Sequence, residues 1–180
     1  MGGSGSRRTR RTGTDGDGAT AHAQDTRDSS TERAEAKPHV CEARVRVRYA
    51  ETDQMGVVYH ANYLVWFEVG RVEFIRSLGL DYRELEREDG IGIAVVDVSA
   101  RYKAPARYDD ELIIETRLTA SRGPVIKFGY RILREVDRAV LCEGETVHVA
   151  IDREMKKASL PEKYAKRFAE VLIKQVTVNR

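Results

Sequence analysis

The sequence predicts an α+β domain in which one curved antiparallel sheet wraps around a long central helix and a second helix closes the chain. Three observations predict it. A strictly alternating run from Ala43 to Tyr49 opens the foldable part. A segment from Asn62 to Leu78 is apolar nearly all round a helical wheel, so other structure must enclose it. Four strand-like runs joined by short turns follow, and short connections favour antiparallel neighbours.

The first element is an absence. Residues 1 to 38 contain no Val, Ile, Leu, Phe, Tyr or Trp. Such a segment cannot bury enough apolar area to offset its ordering entropy, so a disordered tail is expected. Its opening Met1-Gly2-Gly3-Ser4-Gly5-Ser6 fits a loose myristoylation pattern and reads more simply as a flexible linker. The rest, residues 39–175, is expected to be one domain, able to bury about two thirds of its unfolded surface.

In that domain Ala43, Val45, Val47 and Tyr49 alternate with Arg44, Arg46 and Arg48, the pattern of a half-buried strand. The long helix follows, from Tyr63 through Trp66, Phe67, Phe74 and Ile75 to a C′ glycine at Gly79. Gly70 in its middle costs about 1 kcal/mol against Ala, which points to a close backbone approach. Asp81 to Glu84 has capping-box spacing and opens a short helix that stops near Gly90. The four strands are Ile91 to Tyr102, Glu111 to Leu118, Val125 to Leu133 and Ala139 to Ile151. Pro105 ends the first, and Ser121-Arg122-Gly123-Pro124 and Glu135 to Arg138 supply turns. Pro161 begins an amphipathic helix with Tyr164, Phe168, Val171 and Leu172 on one side. A single sheet of this kind leaves an open edge that wants a partner.

The formal net charge of +2 is too balanced to argue for nucleic acid. The cluster Arg7, Arg8, Arg10 and Arg11 is followed by Asp15 and Asp17 and reads as solvated. The charge-free run from Gln54 to Phe67 is too short to span a bilayer and contains Gln, His and Asn, so no membrane span is expected. Cys41 and Cys142 fall in predicted strands with no secretory signal, which suggests two buried thiols and a cytoplasmic location. His22, His39 and His148 have no metal-ligand spacing, so no metal is expected.

Chemistry concentrates between Glu51 and Tyr63. Asp53 is the only acid from Thr52 to Phe67, and His60 follows it by seven residues at a predicted helix start. A helix N-terminus presents unpaired N–H groups that can polarise a carbonyl oxygen. A nearby carboxylate can attack the carbonyl carbon or activate water, or it can simply fasten a turn. Met55, Gly56 and Val57 lie beside it as candidates for lining a substrate pocket. Tyr63, Trp66 and Phe67 read first as core.

The run Thr52-Asp53-x-x-Gly56-Val57-Val58-Tyr59-His60-x-x-Tyr63 resembles the signature of the 4-hydroxybenzoyl-CoA thioesterase group of hotdog-fold enzymes. The similarity continues through Phe67-Glu68-x-Gly70-Arg71-x-Glu73 and Tyr102-x-Ala104-Pro105-Ala106-Arg107-x-Asp109-Asp110. It extends to the Arg122-Gly123 turn and to Leu160-Pro161, covering Arg44 to Phe168. The subgroup it resembles most is the acyl-CoA thioesterases associated with the bacterial Tol–Pal envelope system. The resemblance implies a hotdog fold, a homodimer or a tetramer of dimers, and hydrolysis of an acyl-CoA thioester between protomers. It implies Asp53 as the catalytic carboxylate and a helix start near His60 that polarises the thioester carbonyl. The candidate donors are the backbone N–H groups of Tyr59, His60 and Tyr63, with the His60 imidazole orienting water or Asp53. Coenzyme A is then part of the substrate and no other cofactor is expected. Its phosphates need cations, for which Arg101, Lys103, Arg122 and Lys127 are candidates. Glu68 is a rival carboxylate, because some hotdog lineages carry their acid on the central helix; local pairing with Arg71 or Arg76 is the simpler expectation. The rival functions are a hotdog hydratase or dehydratase, and a non-catalytic acyl-CoA-binding or envelope-associated scaffold.

Overall fold

A computed structural model of the chain describes residues 39–178. The segment expected to be disordered, residues 1–38, lies outside them. The alternating run forms β1 (Cys41–Arg46), which stops earlier than its pattern suggests. Val47 remains buried, but Tyr49 leaves that face: Tyr49–Glu51 close a 3₁₀ turn and the Tyr49 ring stands 77% exposed. Glu51 is the cause. Its buried carboxylate accepts the Arg48 backbone N–H at 2.7 Å and the Arg48 guanidinium at 2.9 Å, which bends the chain out of the strand. Burial alone would raise the Glu51 pKa; the bonds and charge of Arg48, with a contribution from Trp66, outweigh it and hold the carboxyl below its usual value.

The remaining strands are β2 (Gly92–Tyr102), β3 (Glu111–Arg122), β4 (Val125–Arg134) and β5 (Val140–Ile151). All neighbours pair antiparallel, in the spatial order β1-β3-β4-β5-β2. β3 runs further than its sequence pattern, because Gly123 (φ +57°) supplies the left-handed residue of a tight hairpin only after Arg122. One sheet face is the core, where Phe67 stacks on Tyr130 at 4.4 Å and Phe74 meets Phe128 edge-on. The other face carries exposed ion pairs, Lys127–Glu145 at 3.5 Å and Arg131–Glu115 at 3.1 Å among them, each worth at most about 1 kcal/mol.

Three helices complete the fold: α1 (Asn62–Ser77), α2 (Tyr82–Arg87) and α3 (Glu162–Val178). α1 packs on β1, β3 and β4. Gly70 lies over Ile114 and Thr116, where a Cβ would overlap the Thr116 hydroxyl, which explains a glycine in mid-helix. The sheet of this chain does not enclose α1 on every side. Leu64 and Val65 are exposed, because the sheet of one chain covers only one side of the helix. Asp81 caps α2 by accepting the Arg83 N–H at 2.7 Å. Phe168 of α3 reaches the same Phe128 ring that Phe74 touches, so α1 and α3 share one core.

A polar chain crosses that core. The Tyr130 hydroxyl and the His148 ring both bond Thr146, at 2.8 and 2.7 Å. Arg71, only 8% exposed, donates to the Tyr82 hydroxyl at 3.0 Å. Among the described residues no carboxylate pairs with it. Burial, reinforced by the Arg71 charge, lowers the His148 pKa to about 4. The two cysteines are free thiols; Cys142 is buried, which pushes its pKa up to about 11.

The two sheet edges differ. β1 carries Arg44 and Arg46, paired with Glu135, Asp109 and Glu111. β2 carries Val95, Val96 and Val98, all exposed, with Val96 at 58% on a bulge between Val95 and Asp97. Charge is the usual guard on a free edge; a row of valines is the opposite of one.

Candidate active site

The chain after β1 folds back as a small hairpin, bridged at Thr52 and Val58. Asp53 makes its turn. Its backbone N–H donates to Val57 O and its carbonyl accepts Gly56 N–H, both at 2.9 Å. Its Oδ1 accepts the Met55 N–H at 2.8 Å, an Asx turn. Gly56 follows with φ +71°, a conformation that glycine adopts without strain. Oδ2 has no hydrogen-bonded partner among the described residues.

Four hydrogen bonds tie the hairpin, the loop at Ala106 and the start of α1 together. Val58 N–H donates to Ala106 O at 2.9 Å, and Ala106 N–H donates to the Tyr63 hydroxyl at 3.0 Å. The Glu51 carbonyl accepts both the Tyr59 N–H at 2.9 Å and the Asn62 side-chain amide at 2.8 Å. The buried Glu51 turn therefore holds the hairpin and the start of α1 in one frame. A cleft of about 290 Å³ lies between these parts. The hairpin contributes Val57 and Val58, the helix start His60 and Tyr63, and the end of β2 with its following loop Tyr102 to Pro105.

The helix start keeps unspent donors. No side chain caps α1. Asn62 N–H donates to Tyr59 O, Tyr63 N–H to His60 O, and Leu64 N–H to Ala61 O. The N–H groups of His60 and Ala61 have no hydrogen-bonded partner among the described residues. Of the three amides expected as donors, only that of His60 is uncommitted among the described residues. Tyr59 and Tyr63 have already committed their amides, to Glu51 and His60, while Ala61 joins His60.

The other expected residues divide. Val57, His60, Tyr63 and Lys103 line the cleft. Asp53 does not line it; it lies one backbone hydrogen bond away, through Val57. Met55 and Gly56 are exposed at the hairpin tip. Arg122 closes β3 at the opposite end of the sheet: its neighbour Val125 is level with Val149 and Ala94, whereas the cleft lies at Tyr102. Arg101 and Lys127 belong to the strands, and Lys127 and Lys103 face Glu145 and Glu143. Glu68 is exposed and outside the cleft, and its expected local pairing is not made: Arg76 pairs with Glu73, and Arg71 bonds Tyr82. Ala61, Glu51 and Tyr102 were not singled out from sequence. Tyr102 had a signal, since it opens the Tyr102-x-Ala104-Pro105 motif.

Among the described residues no three His, Cys, Asp or Glu side chains converge as a metal site, and no helix is long and apolar enough to cross a membrane.

A buried aromatic helix over one antiparallel sheet, with free amides at its start beside a carboxylate hairpin, defines a hotdog domain of the thioesterase kind. The profile of the Thioesterase-like superfamily matches residues 47–168, and the chain belongs to that superfamily. The Bacillus subtilis (strain 168) protein YneP is 38% identical over 132 residues, which are 73% of this chain and 92% of that protein. The acyl-CoA thioester hydrolase YbgC of Escherichia coli O6:H1 is 36% identical over 127 residues, 70% of this chain and 93% of that one. Among solved structures, the DHNA-CoA thioesterase from Staphylococcus aureus superposes with a TM-score of 0.69 at 30% identity, covering 78% of this chain and 93% of that chain.

Proposed function

We propose that the chain hydrolyses acyl-CoA thioesters, with the carbonyl oxygen held by the His60 and Ala61 N–H groups and Asp53 supplying the carboxylate. The observation that carries this reading is the pair of unspent amides, His60 and Ala61, at the start of α1, with His60 itself lining the cleft. Such donors stabilise the oxyanion of a tetrahedral intermediate, and losing one typically costs about 10²- to 10³-fold in rate. Asp53 suits its role because the Asx turn fixes one oxygen and leaves the other uncommitted. That oxygen attacks the thioester carbon to give a mixed anhydride, or takes a proton from the attacking water. In either route coenzyme A leaves as a thiolate and the acyl group ends as a free acid. The His60 imidazole orients the water.

The working unit in this reading is a homodimer, or a tetramer of dimers, formed by antiparallel pairing of two β2 edges. Exposed Val95, Val96 and Val98 on β2 and Leu64 and Val65 on α1 support it. A two-fold axis near the middle of β2 sets the Tyr102 end of one copy beside the Gly92 end of the other. The partner's β3–β4 turn, which carries Arg122, then lies nearer this cleft than the chain's own does.

The test is release of free thiol from a panel of acyl-CoAs. Asp53→Asn is expected to keep the melting temperature and oligomeric state of the wild type and to lose about 10²- to 10⁴-fold in turnover. Wild-type rates in that variant would remove Asp53 from the chemistry. Substrate consumed with its CoA bond intact would make the protein a hydratase or dehydratase, and binding without turnover would make it a scaffold.

A further inference from the structure

We propose that Tyr102 is a positioning residue that aims and polarises the Ala61 amide; the inference rests on the thioesterase reading of the cleft. Tyr102 is the last residue of β2, and its hydroxyl donates to the His60 carbonyl at 3.1 Å. Its ring meets His60 and Tyr63 edge-on, with centroids 6.3 and 5.2 Å apart. The hydroxyl is thus held from both sides on an oxygen that belongs to a particular peptide group.

That peptide group is the one whose N–H is Ala61. In a trans peptide the C=O and N–H point in opposite directions and move as one plane. Pinning the His60 oxygen therefore aims the Ala61 hydrogen. The same oxygen also accepts the Tyr63 N–H at 3.3 Å, a long bond that leaves it under-satisfied without the phenol. A carbonyl that accepts two hydrogen bonds draws electron density from its own N–H and makes that donor stronger. The Tyr63 hydroxyl already accepts the Ala106 N–H and anchors a different loop. Desolvation holds the Tyr102 pKa above its ordinary value, followed by a smaller effect of Cys142, so the donor proton stays on at neutral pH.

The chemical consequence is confined to the developing oxyanion. A stronger, better-aimed Ala61 donor favours negative charge on the substrate oxygen over the neutral carbonyl. The phenol spends its proton on the His60 oxygen and not on the substrate carbonyl, so its loss acts on kcat and leaves KM nearly alone.

The experiment compares wild type with Tyr102→Phe, which keeps the ring and both edge-on contacts and deletes only the hydroxyl. Thiol release at saturating and limiting acyl-CoA gives kcat and KM. A second measurement uses a ketone analogue in which a methylene replaces the thioester sulfur, and reads the infrared C=O stretch of the bound analogue. Tyr102→Phe is expected to lower kcat about 3- to 10-fold, the range of one hydrogen bond, with KM within twofold. The bound C=O stretch is expected to move back toward its frequency in water. Unchanged kcat and an unchanged C=O stretch in a protein whose wild type is active would overturn the role of Tyr102 alone. A rise in KM with kcat intact would leave Tyr102 no role beyond its place in the cleft lining and overturn it equally. Absence of thiol release from wild type would overturn both this inference and the thioesterase reading.

Discussion

A single methyl group added at Gly144 tests how closely α1 is set against the sheet. A Cβ built there lies 2.5 Å from two ring atoms of Phe67 and 2.6 Å from the carbonyl oxygen of Ser99. Each is nearly 1 Å inside ordinary van der Waals contact, which begins at 3.4 Å. Neither obstacle yields easily. Phe67 is 1% exposed and stacked on Tyr130, and Ser99 O is backbone of the neighbouring strand, one residue from the Ala100 that pairs with Gly144. Overpacking costs about 1–3 kcal/mol, and a backbone obstacle puts Gly144→Ala in the upper half of that range. Relief of glycine entropy returns about 0.5–1 kcal/mol. The net expectation is about 2 kcal/mol, a fall in Tm of about 7 °C for a domain of this size. The assay is thermal unfolding followed by circular dichroism at fixed protein concentration, since an oligomer's Tm depends on concentration. Gly129→Ala is the matched control. Its Cβ meets Thr119 and the Arg117 guanidinium at 3.0 and 3.1 Å, on exposed side chains that can swing away. It is expected to shift Tm by less than about 2 °C. Equal melting of the two variants would refute the packing argument.

Acid should weaken the fold through His148. Folded, its pKa is about 4, against 6.5 when unfolded. Between those values the unfolded chain holds the extra proton, so stability falls as pH drops from 6.5 to 4, by roughly 3 kcal/mol at 1.36 kcal/mol per unit. Denaturant titrations across that window should show a shallower slope for His148→Gln than for wild type; parallel slopes would mean that the ring is already charged in the fold. Val96→Lys places a charge on the β2 edge and should convert the proposed dimer to a monomer in light scattering, with thiol release falling alongside. A wild type that is monomeric at micromolar concentration would remove the edge-pairing reading.

The fold was largely legible because its signals are local. Alternation marked β1, Gly70 marked the close approach in the middle of α1 and Gly79 its end, and turn residues separated the four strands. The end of β1 was not legible, because Tyr49 alternates correctly while a buried Glu51 three residues after Arg48 bends the chain. The cover on α1 was legible only in part. A helix apolar nearly all round asks for cover on every side, and the sheet of this chain leaves Leu64 and Val65 exposed. At the site, the motif located the hairpin and helix start. It could not distribute hydrogen bonds: whether Tyr59, His60, Ala61 or Tyr63 keeps a free amide depends on where the Glu51 and His60 carbonyls point. Arg122 shows the same limit on a larger scale. Its place at the end of the sheet away from the cleft follows from strand topology, which residue type does not encode.

The Asx turn at Asp53 sets a limit on evolutionary drift. The ring closed by its Oδ1 and the Met55 N–H has the size of a backbone turn. A glutamate at position 53 would carry its carboxylate one methylene farther out, close a wider ring and swing the uncommitted oxygen away from its present bearing. The loop thus works as a gauge of side-chain length. Preserving the negative charge is not enough to preserve the loop, because the ring depends on the length of the side chain as well as its charge.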